Sequence, residues 1–171
     1  MPDTTPLQDA YRVLLDAAAT VAEAGDPSPA PPDGEWDADQ ILAHVSLVGA
    51  ATIAALADIT AGADTTYDNR TALDTWTIRQ AITHAGGHAG LRDRIRAQAA
   101  ALCALTADTA LSDTELGTVV PARLLSNGTL LTDQPMPLRD IITGLAEAEL
   151  PGHTKQLLAL LPGRPAAEAT T

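Results

Sequence analysis

Apolar positions recur along this chain with a helical beat in four stretches, separated by segments where that beat fails. Over residues 7–24, Tyr11, Leu14, Leu15, Ala18, Val21 and Ala22 share one helical face, which predicts a first helix. The proline-rich residues 25–34 cannot continue it, because proline removes a backbone donor; they read as a loop too short to divide domains. A second helix is predicted after Trp36, capped by Asp37 or Asp39 and running to about residue 61. Its seam is Ile41, Val45, Val48, Thr52, Ala55 and Ile59, with His44 beside it. Residues 62–73 are polar and read as loop. A third helix starts at Asp74 or Thr75 and runs to about residue 105, with His84 and His88 continuing the buried stripe of Leu91, Ile95, Ala99 and Leu102. Gly86, Gly87 and Gly90 weaken it locally and permit close approach by another helix or a ligand.

Residues 107–137 lose the helical pattern. Two apolar runs flank Ser126-Asn127-Gly128, and Asn-Gly between such runs predicts a hairpin, with Pro121 at an edge or bulge. A fourth helix follows Pro135 and Pro137 and ends near Leu161, and the tail from Arg164 is expected to fray. The expected fold is all-α: a four-helix bundle with a short β-hairpin between helices three and four, one domain over residues 1–171 with an ordered core of about 7–161.

Composition supports a folded domain, since 46% of the residues are hydrophobic and 19% charged. Aromatics are only 2% and phenylalanine is absent, so leucine and alanine must fill the core. The net charge of −12 argues against nucleic acid or an anionic membrane as partner. Cys103 is the single cysteine, so no intrachain disulfide forms; it reads as small core filler, and a reducing cytoplasm is the expected setting. The N-terminus lacks a basic region followed by an apolar run, and no apolar run was expected to approach the roughly 20 residues a bilayer span requires.

Candidate chemistry comes from a conflict in the fourth helix. Its apolar stripe of Leu138, Ile142 and Leu145 meets Glu149 and His153 before resuming at Leu157 and Leu160. A carboxylate and an imidazole at i and i+4 share one face, and a carboxylate facing the core is costly unless paired or metal-bound. With His44 they supply two nitrogens and one oxygen, the donor count of a catalytic metal site with open positions. Hydrogen-bonded core histidines fit the same pattern. His84 and His88 form a second i, i+4 pair that suits metal binding, general acid/base work or plain packing. Trp36 and Trp76 read as covers for the ends of the core, and Arg92, Arg94 and Arg96 as a solvated face. Arg123 and Arg139 are candidates to meet an anionic substrate, and Gln156 to orient a ligand or substrate.

The segment Trp36-Asp-Ala-Asp-Gln-Ile-Leu-Ala-His44-Val resembles the Trp…Leu-Ala-His opening of the second helix in DinB-like proteins. The nearest branch is similar to the N-terminal domain of the mycothiol-dependent maleylpyruvate isomerases. The Asn127-Gly128 hairpin and Pro137-Leu138-Arg139-Asp140 also resemble that branch, and the similarity spans residues 7–161 in helix order. It implies a metal held by His44, Glu149 and His153. Two departures stand out: Pro151-Gly152 falls between two of those residues, and the isomerases carry a further C-terminal domain.

The expected function is therefore a metal-dependent enzyme, with zinc or nickel as cofactor and a mycothiol-like low-molecular-weight thiol as co-substrate. The thiolate would attack an electrophilic small molecule, for transfer or isomerisation, while His84 or His88 moves a proton. Gln156 and Arg139 are the expected contacts to the co-substrate. The alternatives are a hydrolase, isomerase or cyclase of small-molecule metabolism, and a non-catalytic bundle that binds a small ligand. The partner is a small molecule, and the protein is expected as a monomer or homodimer.

Overall fold

In a computed structural model the described residues are 4–25, 31, 34–107, 111–126 and 128–161. Most of the proline-rich connection, Asn127 of the hairpin and the expected fraying tail lie outside them. The chain is mostly helical, with a small three-stranded sheet.

The first helix, α1 (Thr5–Glu23), buries Leu7, Tyr11, Leu14, Ala17, Ala18 and Val21, the face its periodicity predicts. The second, α2 (Ala38–Thr60), begins at an Asp37–Gln40 capping box in which each side chain binds the other's backbone N–H. It is the central helix, packed against α3 (Arg70–Leu73), α4 (Thr75–Ala85), α5 (His88–Thr106) and α8 (Leu150–Ala159). Being covered on several sides explains why α2 is apolar nearly all round. The expectation of no membrane-length apolar run needs correction here. By length and composition the 23 residues of α2 could cross a bilayer, but 61% of the most apolar stretch is buried inside the protein.

The expected third helix is two. Gly86 closes α4 in the left-handed conformation at φ 80°, its N–H donating to the carbonyls of Ile82 and Thr83. Gly87 follows at φ 84°, a second backbone state that side chains disfavour. Two consecutive positive φ values end the helix, and α5 starts afresh at His88. The sheet is also larger than expected. A two-residue β1 (Tyr67–Asp68), read as loop, runs parallel to β2 (Val119–Ser126), which pairs antiparallel with β3 (Thr129–Pro137). Ser126 pairs with Thr129 at the end of the hairpin, on either side of the expected Asn-Gly turn. Pro121 is tolerated because β2 meets β1 only from Ala122 onward. A short α6 (Asp113–Leu116) with a Ser112–Glu115 capping box precedes the hairpin.

The fourth helical segment starts as α7 (Leu138–Gly144), passes through a wider π turn (Leu145–Glu149) and continues as α8. The N–H of Leu150 reaches back five residues to the carbonyl of Leu145. Pro151, which has no N–H to offer, then sits in the first turn of α8, where its missing donor costs little. Pro151-Gly152, the departure noted between Glu149 and His153, therefore leaves the helix unbroken. Leu14, Ile41, Leu42, Leu56, Ile78, Leu91, Ile95, Leu102, Leu138, Leu150 and Leu157 are fully buried and make an aliphatic core. At the end of α7, where the helix runs on into the π turn, Gly144 has no atom within 4 Å of an added Cβ. Gly144→Ala should therefore stabilise the fold by about 0.5–1 kcal/mol, read from denaturant midpoints.

Candidate metal centre

Three elements deliver the candidate ligands. His44 projects from the second turn of α2 and is 3% exposed. Glu149 closes the π turn and His153 lies one turn on, in α8. Their ligand atoms lie within 4.8 Å of one another. Nε2 of His44 is 2.9 Å from Oε1 of Glu149, and Nε2 of His153 is 3.2 Å from the same oxygen.

The outer nitrogens determine what this convergence means. Nδ1 of His44 donates to the Ala72 carbonyl at 2.8 Å, and Nδ1 of His153 donates to Oε1 of Gln156 at 2.7 Å. A neutral imidazole has one N–H. With both Nδ1 protons committed outward, both Nε2 lone pairs point at a carboxylate oxygen. Three electron-rich atoms then face one another, and the arrangement requires positive charge among them, from protons on the rings or from a cation. Outer hydrogen bonds that fix the tautomer and aim the ring are the usual support of metal-binding histidines. Donors about 2.0–2.2 Å from a shared ion stand roughly 3.0–3.4 Å apart, so the donor types and the two nitrogen–oxygen separations suit zinc or a similar divalent ion. Burial alone would raise the Glu149 carboxyl; when the His153 and His44 rings carry the positive charge, their Nε2–H bonds outweigh burial and hold the group well below the usual carboxylate range.

Trp36 walls the site. Its ring lies 4.9 Å from that of His44 and stacks at 6.5 Å and 18° on that of His153. The expected role of covering the core end is thus only part of its position. Trp76, given the same role, is instead 64% exposed. Beneath the triad Tyr67 is buried and shares a 3.1 Å hydrogen bond with Thr52. Burial raises the Tyr67 phenol; the Thr52 bond opposes this and the nearby charge of Glu149 adds to it.

The other candidates fall elsewhere. His84 is exposed in the last turn of α4 rather than buried in a stripe. His88 opens α5, with Nδ1 3.1 Å from Asp39 and Nε2 3.0 Å from the Ala18 carbonyl, so its ring ties α1, α2 and α5 together. The glycine corner separates the two rings onto different helices, and neither joins the triad. Arg139 donates to the Asp113 carbonyl at 3.1 Å and lines a cleft of about 350 Å³ that includes no triad residue. Arg123 is held by Asp133 across the hairpin. Gln156 orients His153, which places it behind a ligand rather than in front of a substrate. Substituting Gln156 with Ala should weaken zinc binding about 10- to 100-fold in a chelator competition, with the fold unchanged.

Sequence reasoning did not reach Trp36 as a wall or the Ala72 carbonyl as a support. The tryptophan's position eight residues before His44 was the available signal; a backbone carbonyl leaves none. No family model, curated protein or solved structure matches this chain.

Proposed function

We propose that this chain is a metal-dependent enzyme with a DinB-like four-helix-bundle fold, activating a low-molecular-weight thiol against an electrophilic small molecule. The bundle would consist of α1, α2, the bent α4–α5 pair and the α7–α8 segment. His44, Glu149 and His153 would hold one divalent ion, zinc or nickel. The observation that carries this is the aim of two Nε2 atoms at one Glu149 oxygen while both Nδ1 atoms are engaged by carbonyl-type acceptors. A bound ion of this kind supplies Lewis acidity and favours a thiolate over a thiol near neutral pH.

The chain's own groups do the rest. Ala72 and Gln156 hold the two imidazoles in the binding tautomer, and Trp36 closes one side of the triad. Glu149, at 36% exposure, leaves another side open for substrates. His84 and His88 are left out of the chemistry: one is exposed, and the other has both nitrogens committed. The thiol rests on the resemblance of the Trp36–His44 segment and the Glu149/His153 pair to the mycothiol-dependent branch.

The test is elemental analysis of tag-free protein reconstituted with zinc or nickel and freed of excess ion, followed by turnover of an activated enone with and without thiol. About one ion per chain and thiol-dependent turnover are expected. No bound ion after reconstitution would overturn the metal reading. Metal-dependent turnover indifferent to thiol would instead support a hydrolase, isomerase or cyclase on the same site.

A further inference from the structure

Away from the triad, α1 and α5 run antiparallel, as the reach of His88 at the start of α5 to the Ala18 carbonyl near the end of α1 requires. A cleft of about 480 Å³ opens between them, a size that suits a small molecule. Its walls include Leu15, Ala19 and Ala99, and Arg12, Arg92 and Arg96 stand along it. Two of these cations are answered on their own helices, Arg12 by Asp9 and Asp16 and Arg96 by Asp93. Arg92 has no hydrogen-bond or ion-pair partner among the described residues, and its Nε is buried.

Tyr11 contributes to the same cleft, is 2% exposed and has no partner for its hydroxyl. The third buried side-chain atom without a partner is Oε1 of Gln98, one turn and a half along α5 from Arg92. Gln98 and the Tyr11 hydroxyl lie 3.3 and 3.6 Å from the point where a Cβ on Gly49 would stand, so this glycine lets both side chains pack closely against α2. Two of these three atoms among the described residues, Arg92 Nε and the Tyr11 hydroxyl, belong to residues that line the cleft, whereas Gln98 turns to α2, where its Nε2 donates to the Ser46 carbonyl. A buried polar group without a partner destabilises a fold, and two on residues that line one cleft mark a site kept for binding rather than for stability.

We propose that the α1–α5 cleft binds a small carboxylate with an aliphatic body, separate from the metal centre. Arg92 and the Tyr11 hydroxyl are donors that lack an acceptor, and a carboxylate supplies one. The leucine and alanine walls take the aliphatic part. Cys103 lies in the cleft and reports its occupancy without taking part in binding.

The test uses octanoate on the full chain, by calorimetry and by protection of Cys103 from an aromatic disulfide reagent, with and without chelator. Saturable binding at one octanoate per chain, unchanged by chelator and accompanied by slower Cys103 modification, is expected. Arg92→Gln should weaken it roughly tenfold or more while keeping the wild-type circular dichroism. Tyr11→Phe should weaken it too, yet melt a few degrees higher without ligand, because it removes a buried hydroxyl that lacks a partner. Absence of saturable binding, equal affinity in Arg92→Gln, equal affinity for octan-1-ol, or binding abolished by chelator would each overturn the assignment. The last would place octanoate at the metal.

Discussion

Replacing His44 with alanine is expected to remove zinc from the protein, weakening binding by well over about 100-fold. Loss of a supporting partner alone costs roughly 10- to 100-fold, and His44 is a ligand rather than a support. The expectation follows from its position: 3% exposed, aimed by the Ala72 carbonyl and 2.9 Å from Glu149. Glu149→Gln tests the same site by charge at nearly constant shape. It removes the negative group that both Nε2 atoms face, and an amide is a poor ligand for zinc. Both variants should fall below detectable metal after dialysis, while His84→Ala should retain the wild-type amount. Retention of a full equivalent of zinc by His44→Ala and Glu149→Gln together would place the ion elsewhere. Acidification should release the metal from the wild type, because imidazole must be unprotonated to bind it.

Gly90→Ala is expected to destabilise the fold by roughly 3 kcal/mol or more, at the upper end of what overpacking costs. A Cβ at Gly90 would lie 1.7 Å from the carbonyl oxygen of Ala85, a backbone atom with no rotamer into which to retreat. That carbonyl belongs to the last residue of α4, and Gly90 lies in the first turn of α5. The two helices therefore bend sharply enough that backbone meets backbone across the corner. Relief would require opening the corner that His88 ties to Asp39 and Ala18. Urea unfolding midpoints measure the effect, and Gly144→Ala is the control of opposite sign. A Gly90→Ala midpoint within error of wild type would show that the corner opens at little cost.

The three glycines of this corner show how much of the molecule was legible in one dimension. Their presence in a helical pattern signalled a local weakness and a close approach. That the weakness is a complete stop depends on both Gly86 and Gly87 adopting positive φ, which composition permits but does not compel. His84 and His88 were read as neighbours because they are four apart; the bend placed one in solvent and the other between three helices. Pro151 was the opposite case. It threatened to break the face shared by Glu149 and His153, and the π turn just before it absorbed the missing donor.

Near neighbours along the chain account for the features that could be read in one dimension. The amphipathic helices, the Asp37 cap, the β2–β3 hairpin and the Glu149/His153 pair all arise from side chains close to one another along the chain. Contacts between residues far apart in the chain come from the packing of the helices instead. The meeting of His44 with Glu149, the Ala72 carbonyl behind it, the Trp36 wall and the unanswered donors of Arg92 and Tyr11 belong to this class. Local propensity sets which face a residue occupies, whereas the packing of whole helices sets what that face meets. The charge and hydrogen-bond balance of a site is a property of that meeting.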